Sequence, residues 1–333
     1  MQASHFQTIC RLIKAADDGG LLTQPRDLSG LSGEKLIGLI QRLAAYEADL
    51  NRGCYLEVGV FQGLSLISAA SVLVGVEAFG VDNFSQYDKH GRNFQLVQER
   101  MRVNAVSNAT VINMDYEDAL EGLSGILEGR KIGTFFVDGP HDYRSQLVCL
   151  QLVRAHLSDT AVIVVDDCNY RHVRLANRDF LMANAEFKLI FESYTKCHPE
   201  NMRQDELNGA RRGWWNGVNV IVRDLENELD AIYPPTLRDR SLHQNEHLVH
   251  AAKYAALAPD AVALLSAIRS FKLVASMKSV LKMLWNSRHS KRQLVGKYLS
   301  ANTFSEGLPD NHFNPSCQNA REDSGSLQPS ACP

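Results

Sequence analysis

The stretch YLEVGVFQGLSLISAA, Tyr55 to Ala70, decides the fold. It begins as an apolar run typical of a buried strand, passes through two glycines four residues apart, and ends with helical spacing. Gly59 can turn sharply and Gly63 allows a backbone or a ligand to approach closely, because neither has a Cβ. Glu57 lies inside the apolar run, where an unpaired carboxylate is costly. We expect it to bind an ammonium group or to hold the amides of the loop.

The same alternation of strand and helix continues along the chain as far as residue 223. Runs such as TFFVD and AVIVVDD are apolar without alternation, as expected for parallel strands covered on both faces. Alternating strands and helices predict an α/β fold with a doubly wound sheet. The predicted strands are 54–59, 77–82, 109–114, 133–138, 160–166, 186–193 and 217–223.

The flanks of this region have a different pattern. Residues 1–50 are predicted to form a helical cap, in which Ser32 is the expected N-cap of an amphipathic helix. Residues 51–224 would form the main domain, and residues 225–303 are again predicted to be helical. The tail, 304–333, has few large apolar residues and is predicted to lack fixed structure.

Composition narrows the class of protein. The chain has 333 residues, of which 45% are hydrophobic, and a net charge of -3, so nothing favours nucleic acid as a partner. Its seven cysteines show neither a CxxC motif nor zinc spacing, which indicates a reducing compartment. We find no signal peptide and no apolar run long enough to span a bilayer, so the expected location is the cytoplasm.

The second predicted strand ends in AFGVD, which places Asp82 to accept hydrogen bonds from ribose hydroxyls. This position fits NAD or S-adenosylmethionine (SAM). A dinucleotide site would have the GxGxxG spacing, but Val60 and Phe61 follow Gly59 here. The spacing and the preceding Glu57 favour SAM, which carries a cation and no phosphate.

Acidic residues follow the fourth and fifth predicted strands, in FFVDGPHDY and VIVVDDCN. Asp138, Asp166 and Asp167 should therefore meet at one edge of the sheet, where three carboxylates would repel one another. Either some are protonated or a hard divalent cation such as Mg²⁺, Ca²⁺ or Mn²⁺ lies among them; alternatively, one of the pair caps the next helix. His141, three residues beyond Asp138, is a candidate general base or a solvated loop residue.

At these residues the chain resembles the class I SAM-dependent methyltransferases. More narrowly, residues 50–223 resemble the metal-dependent O-methyltransferases that act on sugar hydroxyls of macrolides and related natural products. The resemblance implies a Rossmann-like seven-stranded sheet, mostly parallel with an antiparallel last strand, and helical N- and C-terminal additions. It also implies methyl transfer to a hydroxyl of a sugar, glycan or glycosylated natural product.

The resemblance also implies roles for individual residues. Asp138, Asp166 and Asp167 would bind Mg²⁺ or Mn²⁺, while His141 and Asp138 would act in catalysis. The residues implied to bind SAM lie in the E-x-G-x-x-x-G-x-S loop and after strands two and three: Glu57, Gly59, Phe61, Gly63, Ser65, Asp82, Asp115 and Tyr116.

Two other functions stay open: a hydroxylase-type oxidoreductase on the same scaffold, and a non-catalytic partner subunit with a SAM fold. The expected partners are a small-molecule or glycan acceptor and further copies of the chain. Acceptor contacts could come from two groups of polar and aromatic residues. For Tyr170, Arg171, His172 and Arg174 a solvated helix start is favoured over acceptor contact. For Arg211, Arg212, Trp214 and Trp215 core packing explains the pattern at least equally well.

Residues 261–303 contain eight lysines and arginines but no acidic residue, and apolar residues recur there at helical spacing. The pattern predicts a basic amphipathic helix. Through residues 261–297 it could dock on the catalytic domain, bind a partner, or rest on the inner face of a membrane.

Overall fold

The computed structural model describes residues 4–236, 258–288 and 309–315. Residues 4–236 and 309–315 belong to one compact unit, and residues 258–288 belong to a second. The first unit contains a sheet covered by helices on both faces, and the second is a pair of helices. The predicted border at residue 50 does not separate compact units.

One mixed sheet organises the first unit, with strand order β3-β2-β1-β4-β5-β7-β6-β8. Strands β1 to β5 are parallel, whereas β6, β7 and β8 join antiparallel at the β5 edge. The mostly parallel α/β sheet is confirmed, with eight strands in the described residues instead of the expected seven. The strands are β1 Cys54–Val58, β2 Ala78–Val81, β3 Ala109–Ile112, β4 Ile132–Val137, β5 Leu157–Val165, β6 Phe187–Ser193, β7 Val218–Arg223 and β8 His312–Phe313.

Helices connect the parallel strands and flank the sheet. In the described residues they are α1 His5–Asp17, α2 Glu34–Asp49, α3 Leu64–Ala70, α4 Asn93–Val103, α5 Tyr116–Glu121, α6 Leu123–Leu127, α7 Tyr143–Val153, α8 Arg171–Ala183, α9 Gln204–Arg212, α10 Ala258–Arg269 and α11 Leu273–Arg288. Two short 3-10 turns lie at Arg154–His156 and Pro199–Asn201.

The unexpected eighth strand comes from the C-terminal tail. Phe313 pairs with Phe191 of β6, and their ring centroids lie 5.1 Å apart. Asn314 is fully buried, and its side-chain amide donates to the carbonyl oxygens of Leu189 and Asp230. The prediction of a tail without fixed structure is therefore wrong for residues 309–315. The rest of 304–333 lies outside the described residues.

Alternate residues of the central strands feed two separate cores. Tyr55 faces the core that holds α1 to α4, whereas Leu56 and Val58 face the core that holds α5 to α8. Helices α1 and α2 contribute fully buried side chains to the first core, among them Ile9, Ile13, Leu36, Leu39, Ile40 and Leu43. Burying each such side chain stabilises the fold by about 1.5–3 kcal/mol. The N-terminal helices are thus a layer of the domain.

Helix α2 begins one residue later than predicted. Gly33 occupies the N-cap position and offers no side-chain cap, so the expectation for Ser32 is wrong. The Ser32 hydroxyl instead donates to Asp166 Oδ2 at 3.4 Å. Ser32 therefore donates a hydrogen bond to a buried carboxylate 134 residues further along the chain.

The second unit differs from the single basic helix that was expected. Residues 225–236 contain no helix, and the chain turns at residues 270–272 between α10 and α11. Phe271 has a left-handed backbone with φ of 55° at this turn, which ends the first helix. Within the described residues, no helix combines the length and the apolarity needed to cross a membrane.

Glu47 of α2 carries a buried carboxyl group beside the sheet. Its Oε2 accepts a hydrogen bond from Thr160 Oγ1 at 3.3 Å, whereas Oε1 is buried with no hydrogen-bond partner. Burial raises the pKa of Glu47 from 4.5 to about 8, although Arg52 and Thr160 act in the opposite direction. The folded protein therefore keeps this proton at pH values where the unfolded chain loses it.

We expect Glu47→Gln to change how stability depends on pH. Because the folded pKa is raised, the Glu47 contribution falls as pH rises from about 4.5 to about 8, by at most about 1.4 kcal/mol per pH unit. The variant should match the parent near pH 5 and be more stable near pH 8. Urea denaturation at both pH values measures this difference. The control is Glu99→Gln, because Glu99 is an exposed residue of α4. An effect of Glu47→Gln on stability that is the same at both pH values would contradict the raised pKa of Glu47.

Candidate active site

A cavity of about 480 Å³ opens where the five parallel strands end. Its walls include residues from the carboxyl end of each of these strands, as expected for ligand sites in open α/β sheets. The loop at residues 30–32, the turn at 198–200 and α9 complete the walls. The sheet and the flanking elements together therefore define one concave site.

The glycine loop after β1 passes unusually close to β4. Gly59 has a φ of 97°, and a Cβ placed on it would lie 1.9 Å from the carbonyl oxygen of Asp138. Gly63 has a φ of 85° and precedes α3, where a Cβ would come within 3.0 Å of Ile67. The two glycines thus permit a tight crossing and a left-handed entry into the helix.

Asp82 fixes the conformation of this loop. Its Oδ2 accepts hydrogen bonds from the backbone N–H groups of Val60 at 3.0 Å and Phe61 at 2.8 Å. Its Oδ1 accepts from the N–H of Phe84 at 2.7 Å. Asp82 also lines the cavity, so the expected ribose acceptor has a structural task in addition.

Glu57 is buried next to the glycine loop and does not line the cavity. Its Oε2 accepts from the Tyr55 hydroxyl at 2.7 Å, and its Oε1 accepts from Ser65 Oγ at 3.1 Å. Burial raises the pKa of Glu57 to about 8. These contacts are to hydroxyls, whereas the expected ones were to an ammonium group or to the amides of the loop. They join β1 to the first turn of α3 on either side of the loop.

Some of the other residues expected to bind SAM line the cavity, and some do not. Asp115 caps α5 by accepting from the Glu117 N–H at 2.9 Å, and the Tyr116 hydroxyl donates to Glu117 Oε1 at 3.0 Å. Gly63 joins Glu57 outside the cavity lining. The expected residues that line the cavity are Gly59, Phe61, Ser65, Asp82, Asp115 and Tyr116.

Asp138, His141 and Asp167 converge on one side of the cavity. Each offers one ligand atom, and these atoms all lie within 4.8 Å of one another. His141 Nε2 lies 2.6 Å from Asp167 Oδ2, and Asp167 Oδ1 accepts from Asn216 Nδ2 at 2.6 Å. Among the described residues, the Asp138 carboxylate receives no hydrogen bond and forms no ion pair. It is therefore the acid in this group that is open to an incoming cation.

Asp166 is not part of this group and does not line the cavity. Its Oδ1 accepts from the Asp167 N–H at 2.7 Å, and its Oδ2 receives the Ser32 hydroxyl. Asp167 has a left-handed backbone with φ of 57°. The chain therefore turns at Asp167, and the two neighbouring acids have different partners: Asp166 binds Ser32, whereas Asp167 binds His141.

Carboxyl groups are concentrated at these strand ends. Burial raises the pKa of Asp138 well above its ordinary value, and the neighbouring Asp166 and Asp167 raise it further. Burial and Asp167 raise the pKa of Asp166 likewise. Burial acts against ionisation of Asp167, but His141 outweighs it and lowers the pKa of Asp167. A cation bound beside Asp138 would relieve the remaining repulsion, and both a divalent metal ion and a sulfonium supply one.

Several contacts could not be foreseen from the sequence. Asn216 orients Asp167 from the segment RRGWWNG, in which only the arginines and tryptophans carried a signal. Tyr170 stacks on His141 with a centroid distance of 5.1 Å and an interplanar angle of 10°. Three of the eight residues that the sequence offered as acceptor contacts do line the cavity: Tyr170, Arg211 and Trp215.

Other acceptor candidates have structural roles instead. Trp214 is buried, packs on Phe191 at 5.1 Å, and donates through Nε1 to Asp17. Arg174 is buried and its Nη1 donates to the carbonyl oxygens of Cys168 and Asn169, each at 2.7 Å. Arg171, His172 and Arg212 also lie outside the cavity lining.

Part of the chain is similar to known proteins. Residues 56–168 match a family model described as a methyltransferase domain. No curated protein matches the chain. Similar solved structures include an O-methyltransferase from Bacillus cereus in complex with SAH (13% identity, 67% of this chain and 92% of that one, TM-score 0.42). Another is the O-methyltransferase TomG from Streptomyces achromogenes, involved in tomaymycin synthesis, in complex with SAM (14%, 67% and 91%, TM-score 0.43).

We expect Gly59→Ala to be far more damaging than its backbone angle alone explains. Gly129 has a similar φ of 88° but nothing within 4 Å of an added Cβ, so Gly129→Ala isolates the cost of the left-handed backbone. That cost is about 1–2 kcal/mol. Gly59→Ala should lose clearly more stability in urea denaturation, because the new methyl group collides with Asp138. Equal losses in the two variants would show that the close approach is unimportant.

Proposed function

We propose that the chain is a class I SAM-dependent methyltransferase of the O-methyltransferase group, and that it methylates an acceptor hydroxyl with the help of a divalent metal ion. The match of residues 56–168 to a methyltransferase domain supports this proposal. The observation that carries the proposal is the meeting of Asp138, His141 and Asp167 beside the glycine loop in one cavity. The proposed acceptor is a sugar, glycan or glycosylated natural product.

The cavity residues near the glycine loop would hold SAM. Asp82 can accept a ribose hydroxyl in addition to its amide bonds, because each carboxylate oxygen has two lone pairs. Asp115 and Tyr116 lie on the next strand end and would adjoin the adenine. When bound, SAM supplies an electrophilic methyl group on a sulfonium, whose charge suits this acidic surrounding.

Asp138 and Asp167 are the proposed metal ligands. Carboxylate oxygens suit a hard ion such as Mg²⁺ or Mn²⁺, which would lower the pKa of an acceptor hydroxyl there. Asp138 has no competing hydrogen bond among the described residues, so its oxygens are available. Asp166, once expected to be a third ligand, would support Asp167 through the backbone N–H of that residue.

His141 is the proposed general base. Its Nε2 is engaged by Asp167, which leaves Nδ1 to take the proton of the acceptor hydroxyl. Asn216 fixes the other oxygen of Asp167, and Tyr170 stacks on the imidazole. The ring is therefore held in one orientation, as an efficient base requires.

The walls beyond His141 support a polar, ring-shaped acceptor. Tyr170 and Trp215 provide aromatic surface, while Glu200 and Arg211 provide charged groups able to pair with hydroxyls. This mixture suits a sugar better than a purely apolar substrate. The N-terminal loop at 30–32 also lines the cavity.

The decisive experiment titrates SAM by calorimetry with and without EDTA, and screens sugars and glycosylated metabolites by mass spectrometry for the gain of one methyl group. We expect SAM to bind in both conditions. Methyl transfer should stop in EDTA and return with added Mg²⁺, because the Asp138 site would be empty. Transfer that continues in EDTA would remove the metal from the proposal, and a lack of SAM binding would overturn the proposal entirely.

We expect His141→Ala to slow methyl transfer to an acceptor found in that screen by about two to four orders of magnitude. SAM affinity should stay close to that of the parent, since the glycine loop is unchanged. His156→Ala, outside the cavity, is the matched control. Normal turnover by His141→Ala would exclude this side chain as the base.

A further inference from the structure

Within the described residues, the helical pair formed by α10 and α11 exposes an extensive apolar surface. Ten large apolar side chains between Val262 and Leu284 are 40–91% exposed. Of residues 260–284, only Asp260 and Ala267 are buried. Contact between the two helices therefore buries little of their apolar surface. Large exposed apolar patches mark interaction sites.

The apolar side chains of α11 form a continuous stripe. Leu273, Met277, Val280 and Leu284 recur at helical spacing, and each is exposed. Val274 and Leu281 are also exposed and widen the apolar side, and Lys278 lies next to them at its border. The helix is thus amphipathic with its apolar side outward and a basic border.

Phe271 marks the tip of the helical pair. It is 91% exposed and has a φ of 55°, a backbone conformation that is rare for a bulky side chain. Glycine or asparagine would occupy this turn at lower cost. An aromatic ring held outward in a strained turn is a feature that packing within the pair does not explain, and it points to a function.

The net charge of the helical pair indicates which kind of surface could bind to it. Residues 258–288 contain five lysines and arginines, whereas Asp260 is their only acidic residue. Asp260 is already paired with Lys282 at 2.7 Å. A second copy of the chain would place this basic surface against itself, because a two-fold contact uses the same patch twice. An anionic surface complements it.

We propose that this helical pair docks on an anionic lipid bilayer. The apolar stripe of α11 and the Phe271 ring would enter the boundary between headgroups and acyl chains, as in interfacial amphipathic helices. Lysines at the border would extend their charged ends toward the lipid headgroups. The proposal does not depend on the methyl-transfer function, since it concerns a different unit of the chain.

Vesicle flotation of the full chain tests this proposal. Phosphatidylcholine vesicles with one third phosphatidylglycerol should carry the protein upward, whereas pure phosphatidylcholine should carry much less. High salt should weaken the binding, because it screens the basic border. Lys272→Gln with Lys278→Gln should lower the partition coefficient by about five-fold per lysine.

Phe271→Asn tests the apolar tip without straining the turn, because asparagine tolerates a left-handed backbone. The matched control is Val74→Asn in the first unit, where Val74 is 92% exposed. We expect several-fold weaker flotation of Phe271→Asn only, with unchanged circular dichroism. Equal flotation of the two variants, equal binding to neutral vesicles, or no binding overturns the proposal. Self-association by ultracentrifugation that Phe271→Asn abolishes, without vesicle binding, assigns the face to a second copy.

Discussion

The crowding of carboxyl groups at the ends of β1, β2, β4 and β5 is the constraint on which the site depends. Three of these acids have hydrogen-bond partners that offset the cost of burying them. Glu57 accepts from hydroxyls and has a pKa raised to about 8, Asp82 accepts from three amides, and Asp167 contacts His141 and Asn216. Asp138 alone lacks such a partner among the described residues. The fold thus places an uncompensated acid beside a cavity, which is the electrostatic condition for binding a cation.

Local sequence signals sufficed for the parts of the molecule that depend on neighbouring residues. Parallel strands buried on both faces are apolar without alternation, and the turn from β1 to α3 needs glycine at 59 and 63. Acids that follow strands meet at one edge, because parallel strands end on the same side. The sequence therefore predicts that Asp138 and Asp167 lie together, although the same reasoning wrongly added Asp166 to the group. Residues 56–168 are also the part matched by the methyltransferase domain model.

The rest depends on contacts between distant segments or on a single backbone angle. Asp166 and Asp167 separate because of the φ of 57° at Asp167, which a pair of identical residues does not encode. Asn216 reaches Asp167 only after β7 joins β5. Strand β8 has two residues, too few for any periodicity, and it is defined by its pairing with β6. Phe271 is not a turn-forming residue, so the break between α10 and α11 carried no local signal.

These contacts give different tasks to the acids at the strand ends. Glu57 and Asp82 hold the glycine loop, and Asp166 holds the backbone of Asp167; two of the three, Glu57 and Asp166, lie behind the cavity wall. Asp138 and Asp167 face the cavity with His141. For the proposed chemistry, rigid support of the second set matters, because a base or ligand displaced by an ångström loses much of its rate advantage. The acids behind the wall would then contribute through the positions that they fix, and Asp138 and Asp167 would contribute as ligands that face the cavity.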